Sequence, residues 1–335
     1  MKHLSPALIS LCSLLLAVVL SIAIGAVFIP PADLWRVLTG QPPQTISQAA
    51  IIILTLRLPR TALVLLTGAA LGGSGAAYQG VFRNPLADPY LIGAASGAGL
   101  GAVLAMSVNL AYSTASMFAV PAAAFVGALA AVFIVYLLAR VGKTVPTTNL
   151  ILAGVAFSAF ATAITSYMML RSTGELHRAI AWLLGGATTV GWAPVLAILP
   201  FLLVGLGGLL LAGHALNVLQ FGDDQARQMG LPVGRTRTLI LLAASLTTAA
   251  AVAFSGIIGF IGLIIPHIMR LWLGADYRKL LPLTMIGGAA VLLFADVLAR
   301  VVMAPQELPV GVVTALAGAP FFVWVLRRAK NQGYW

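Results

Sequence analysis

Residues Thr238–Met269 read TLILLAASLTTAAAVAFSGIIGFIGLIIPHIM, and none of them is Lys, Arg, Asp or Glu. As a single α-helix rising 1.5 Å per residue, this stretch would reach about 48 Å, against roughly 30 Å for the hydrocarbon core of a bilayer. Ser255-Gly256 is the natural place for a break, which leaves two short spans at 238–254 and 257–271. Eight further apolar runs fall at 8–29, 61–82, 90–110, 116–138, 149–170, 193–212, 280–303 and 309–327. The expected fold is an all-α polytopic membrane protein of about ten transmembrane helices, a single transmembrane domain over residues 1–335.

The composition agrees. With 61% hydrophobic and 8% charged residues and a mean hydropathy of +1.04, the chain carries more apolar material than a soluble fold of this length can hide. The 19 Lys and Arg test the break independently, because cytoplasmic loops are enriched in them. Ten spans with the N-terminus inside place thirteen in the cytoplasm and six outside, whereas nine spans place eight inside and eleven outside. Ten spans with both termini cytoplasmic is the expected topology. The six exceptions are Arg36, Arg57, Arg60, Arg171, Arg178 and Arg300. The segment 30–60 is then the longest extracytoplasmic piece. Its Asp33, Trp35 and apolar Ile51–Leu56 point to a short interfacial helix or an extended strand lying on the membrane. Met1–Phe28 imitates a secretory signal, but its apolar run of about 22 residues leads into further spans, as a retained first helix does.

Several function classes lack their residues. The net charge of +11 does not indicate nucleic acid, since the basic residues flank spans and form no stripe interleaved with aromatics. The single cysteine, Cys12, excludes an internal disulfide, and no CxxC or HxxxH spacing points to a redox or zinc site. There is no GxxxxGK[ST] phosphate loop, no Ser/His/Asp order and no pair of intramembrane carboxylates, so the chain is expected not to be an enzyme. The spans hold one carboxylate, Asp296, a turn before Arg300. An i,i+4 ion pair accounts for it without proton or sodium coupling, so the energy for transport must come from elsewhere.

Small residues recur every fourth position at Gly68, Gly72, Ala76 and Gly80, and again at Gly93, Gly97 and Gly101. Such spacing lets helix backbones approach closely, either for ordinary packing or around a pathway. Between these runs, Arg83–Pro89 reads RNPLADP, a turn at the cytoplasmic face in which Asp88 is placed to cap the third span. The largest cytoplasmic loop, 214–237, reads HALNVLQFGDDQARQMGLPVGRTR. Asp223 and Asp224 suit the positive end of a short helix and Gly230 suits its stop. Leu219, Phe221, Met229 and Leu231 are apolar where a plain connector would be polar, which favours a docking helix for a soluble partner.

RLPR at Arg57–Arg60, RNPLADP at Arg83–Pro89, QARQMGLP at Gln225–Pro232, GFIGLIIPHIMR at Gly259–Arg270 and ELPVGVVTALAGAPFFVWVLRR at Glu307–Arg328 follow one another over nearly the whole chain. Together they resemble the membrane permease subunit of ABC importers for iron–siderophore complexes, haem and cobalamin. The resemblance implies a ten-helix subunit of the cell (inner) membrane. It would pair with a second permease subunit, a copy or a paralogue, around a shared translocation path. Two ATPase subunits would lie beneath it, binding the ATP and Mg, and an extracytoplasmic substrate-binding protein above; this chain itself would hold no cofactor. By the same resemblance Gly222, Asp223, Asp224, Ala226, Arg227, Met229 and Gly230 contact the ATPase. Arg57, Arg60 and Arg300 correspond to residues that meet acidic groups of the binding protein, where opposite charges steer encounter; anchoring the outer end of the second span is the alternative for Arg57 and Arg60. Asn84, Leu86, Thr147 and Thr148 map to a cytoplasmic gate. Ferric siderophore is the expected cargo, with cobalamin and haem close behind.

Overall fold

A computed structural model describes residues 5–25, 29–40, 48–108, 114–142, 145–171, 176–186 and 191–332. In chain order the helices are α1 (Pro6–Ala23), α2 (Pro31–Leu38), α3 (Gln48–Ile51), a π-helical stretch (Ile52–Arg57), α4 (Leu58–Phe82), α5 (Ala94–Ser107), α6 (Thr114–Ala139), α7 (Thr147–Arg171) and α8 (Leu176–Leu183). There follow α9 (Ala193–Leu211), α10 (Gly213–Leu219), α11 (Asp223–Gln228), α12 (Val233–Ser255), α13 (Ile261–Leu273), α14 (Tyr277–Val301) and α15 (Val310–Gln332). Each of the ten expected spans falls on one helix. Those in α1, α4, α6, α7, α9, α12 and α14 are long and apolar enough to cross a membrane, and α5, α13 and α15 supply shorter apolar segments.

The charge-free stretch is broken where its length demands. Helix α12 stops at Ser255 and α13 starts at Ile261, with Gly256 at φ 67° and Phe260 at φ 72° turning the chain between them. Backbone groups freed at such a break find no water at membrane depth and need protein partners. The Gly186 N–H donates to the Ser255 carbonyl at 2.6 Å. The Tyr90 hydroxyl donates to the Ile258 carbonyl at 2.9 Å and accepts from the Ile258 N–H at 3.3 Å.

Helix α4 is the centre of the bundle: every residue from Ala70 to Phe82 is buried. Its most extensive neighbour is α14, with α12, α13 and α9 around the remaining sides. Apolar side chains gain little by leaving lipid for a protein interior, so close backbone approach has to hold the helices together. A Cβ on Gly68 or Gly72 would collide with the carbonyl of Gly288 or Thr284, and one on Gly75 with Gly262. Gly97 and Gly101 sit equally tightly on Gly127 and Ala123, joining α5 to α6. Both small-residue stripes are therefore packing seams. The outer surface is apolar instead, with Leu15, Phe133, Leu170 and Leu211 all exposed, as a lipid-facing surface must be.

Several local expectations are corrected. Of the two conformations expected in 30–60, the helical one is present in α2, with Trp35 exposed. Residues 52–57, however, continue into α4 as one 31-residue helix rather than forming a separate surface segment; positions 41–47 lie outside the described residues. The third helix starts only at Ala94, behind Gly93 at φ 83°. Asp88 accepts from the Tyr90 N–H at 2.7 Å inside its own turn and does not cap α5. The loop 214–237 holds two helices, and α12 already begins at Val233.

Candidate functional site

The short helix α11 is delimited by glycine at both ends. Gly222, at φ 98° and ψ 164°, occupies a conformation that a side chain would strain. Beyond the last turn, Gly230 at φ 83° lets its N–H reach the Arg227 carbonyl at 2.9 Å, and the Leu231 N–H reaches the Ala226 carbonyl at 3.0 Å. That closure caps the helix end. Ala226 is fully buried and seats α11 on the bundle. The outward face carries Asp224, whose side chain is 91% exposed, with Arg227 at 3.0 Å from its Oδ1. Phe221 and Met229 are exposed beside them.

Asp223 behaves differently from its neighbour. Its Oδ1 accepts from Arg237 Nη2 of α12 at 2.8 Å and lies 3.6 Å from Arg83 Nη2. Arg83 is the left-handed residue that ends α4, so one carboxylate links α11 to two core helices. Leu219 is buried within the chain's own core and Leu231 packs against it. Of the four apolar residues expected to face a partner, Phe221 and Met229 remain available. Helix α10 is held from the other side: Asn217 Nδ2 donates to Asp276 Oδ1 at 2.6 Å, and Asn217 Oδ1 accepts from the Tyr277 N–H at 2.7 Å. The Asn217 amide and then the Arg278 N–H hold the Asp276 carboxyl below the usual carboxylate range.

At the opposite end of the bundle, two of the three arginines, Arg57 and Arg300, converge on the C-terminus of α1, whose last carbonyls have no helical partner of their own. Arg57 Nη1 donates to the carbonyls of Ile22 and Ala23, both at 2.8 Å. Arg300 Nη1 donates to Ser21 and Ile24 at 3.1 Å, and its Nη2 to Ser21 Oγ. Guanidinium groups also suit the negative end of the helix dipole. Arg57 and Arg300 are buried, at 6% and 3% exposure. Arg60 keeps partial access and makes a forked contact, donating from Nε and Nη2 to Asp296 Oδ1 and from Nη1 to Glu307 Oε2 at 2.7 Å. Asp296 is fully buried between Arg60 and Arg300, the latter 3.1 Å away as the i,i+4 pair expected. Among the described residues, no group of His, Cys, Asp or Glu is arranged to hold a metal ion.

The four residues expected to form a cytoplasmic gate sit on two different segments. Asn84 follows Arg83 directly, and its Oδ1 accepts from the Leu86 N–H at 2.9 Å, fixing a tight turn at the end of α4. Thr147 and Thr148 open α7. Among the described residues no hydrogen bond joins the two pairs.

Residues 13–328 match the FecCD transport family. The chain belongs to this family. It is 40% identical to the uncharacterized ABC transporter permease protein YvrB of Bacillus subtilis, over 96% of this chain and 92% of that protein. It is 45% identical to the cobalamin import system permease protein BtuC of Halobacterium salinarum, over 83% of this chain and 74% of that one. With the hemin transport system permease protein HmuU of Yersinia pestis it shares 41% identity over 84% of each. The solved inward-facing conformation of a metal-chelate type ABC transporter superposes with a TM-score of 0.80 at 30% identity, covering 94% of this chain and 96% of that one.

As a FecCD-family ABC permease, the protein is a multi-pass protein of the cell membrane. Sequence reading grouped Asp223 with Asp224, but the fold turns the first inward and the second outward. Glu307, Asn217 and Arg83 are partners only in the folded chain, although Arg83 and Glu307 each open one of the motifs that carry the resemblance. Phe221, two residues before α11, is exposed beside its outward face, as expected of an aromatic in a polar docking loop.

Proposed function

We propose that this FecCD permease forms, with a second permease subunit, the membrane path of a binding-protein-dependent ABC importer for an organic metal chelate. The observation that carries this reading is α11: a glycine-delimited helix seated on the core, presenting Asp224 and Arg227 outward, with Phe221 and Met229 exposed at its two ends. That surface suits the cleft of a cytoplasmic ATPase, and two such ATPase subunits would bind and hydrolyse the ATP. Asp296 sits between two guanidinium groups, which supports an external energy source over ion coupling. Asn84, Leu86, Thr147 and Thr148 would close the inner end of the path without placing a fixed charge in it.

On the outer face, Arg60 would meet an acidic group of the binding protein, on a rim that Arg57 and Arg300 hold in shape. Relatives named for cobalamin and for hemin support a metal-bearing tetrapyrrole as cargo, with a ferric siderophore in the same chelate class. The test is uptake into proteoliposomes containing the permease, its ATPase and its binding protein, supplied in turn with cobalamin, hemin and a ferric siderophore. ATP-dependent uptake of one chelate is expected. Uptake by the permease alone under an imposed ion gradient would reassign it as a secondary transporter.

A further inference from the structure

A cavity of about 520 Å³ opens between α6, α11 and the first turns of α12, with Tyr136, Arg227, Arg235, Arg237, Thr238 and Leu239 among its lining. Three guanidinium groups face it against one carboxylate, Asp223. Arg237 donates to Asp223 through Nη2, while its Nε is buried with no hydrogen-bond partner. A buried donor in that condition costs free energy unless an acceptor arrives. Arg227 is paired with Asp224, whereas Arg235 is exposed and makes no ion pair among the described residues. The Tyr136 and Thr238 hydroxyls, 3.1 Å apart, add two polar groups to the wall.

The chemistry wanted is an anion, and its surroundings say which kind. Arg235 lies one turn before Leu239 and two before Leu242, on one strip of α12, and both leucines are exposed. The facing helix α6 exposes Phe133 and Leu137. In a membrane-embedded chain these apolar faces meet acyl chains. The arginines therefore stand at headgroup depth, on the side that the distribution of basic residues assigns to the cytoplasm. A free phosphate would have no use for the adjoining leucines.

We infer that this cavity binds the phosphate of an anionic phospholipid of the cytoplasmic leaflet, with Arg235 and Arg237 as donors and an acyl chain lying along Leu239 and Leu242. The site adds to the transport reading and does not depend on it. Guanidinium binds phosphate through paired charge-assisted hydrogen bonds, and a lipid held there would brace α12 directly behind α11.

The experiment is native mass spectrometry of the full chain in detergent after exposure to equimolar dioleoylphosphatidylglycerol and dioleoylphosphatidylcholine, paired with thermal unfolding in each lipid and in inorganic phosphate. Phosphatidylglycerol should be retained at least fivefold over phosphatidylcholine. Arg235→Gln should cut that preference at least threefold without changing the lipid-free melting temperature, and Arg278→Gln, outside the cavity, should leave it intact. Equal retention of the two lipids, or an unchanged preference in Arg235→Gln, would overturn the assignment. So would a thermal shift from inorganic phosphate as large as that from phosphatidylglycerol, which would mark a site for a free anion. Displacement of the lipid by the partner ATPase would likewise overturn it, giving the cavity to a subunit contact.

Discussion

Asp223 on α11 accepts a 2.8 Å hydrogen bond from Arg237 on α12, and the Arg83 guanidinium lies 3.6 Å from the same oxygen. Arg83 ends α4 and is followed by Asn84, so a displacement of α11 has a short route into both a core helix and the proposed gate. Asp223→Asn keeps the shape but removes the charge from both contacts. ATPase pull-down should survive in this variant while ATP-driven uptake falls about tenfold, the consequence of losing roughly 1.4 kcal/mol from charged hydrogen bonds. Loss of ATPase association would show that Asp223 serves the interface itself.

Asp224 and Met229 should give the opposite pattern. Both project from α11, so Asp224→Arg or Met229→Glu should abolish ATPase pull-down with normal membrane insertion. Undiminished association in both variants would remove α11 from the coupling interface.

Asp296 is buried between Arg60 and Arg300. Asp296→Asn leaves the buried Arg300 guanidinium without its counter-charge and Arg60 with Glu307 alone, a change that costs about 3–5 kcal/mol when a buried pair is broken. Thermal unfolding in detergent should register this as a large fall in melting temperature. A shift of only a degree or so would mean that the cluster is solvated.

The arginines of the outer end should separate by function. Arg60→Gln should weaken capture of the binding protein at low ionic strength, with the deficit shrinking as salt screens the contact. Arg57→Gln should instead lower the melting temperature, because it uncovers carbonyls at the end of α1. Titration of the binding protein at two salt concentrations, alongside a melt of each variant, distinguishes the two outcomes.

The hydrogen bond from Asn217 lowers the Asp276 pKa in the folded protein. A group whose folded pKa lies below its unfolded value near 3.9 stabilises the fold above that value, and the contribution is lost as pH falls through the folded pKa. Asn217→Leu should therefore reduce stability at pH 7, and its deficit relative to the parent should narrow on acidification below about pH 4. A pH-independent deficit would assign the loss to packing alone.

Much of this was readable from residues in order. The length of the charge-free stretch Thr238–Met269 demanded a break, and Ser255-Gly256 offered it; α12 stops at that place. Asp223 and Gly230 marked the two ends of α11 because capping preferences act within a few residues. The start of the third helix was missed because Tyr90–Gly93 is apolar but occupied in reaching the α12–α13 break, a demand set by residues far along the chain.

By itself, the sequence determined that the chain crosses a membrane, where its spans lie, how the long stretch divides and which family it joins. The first three follow from hydropathy, glycine, proline and charge read over distances no longer than one helix, and the family from motifs that keep their order from Arg57 to Arg328. Only the tertiary structure decided that Asp223 faces inward and Asp224 outward, that Leu219 is core and Phe221 surface, and that Arg57 and Arg300 close the end of α1. Those choices pair residues such as Arg60 and Asp296, 236 positions apart. Their meeting depends on how Gly68 and Gly72 let α4 settle against α14, a geometry that no local pattern encodes.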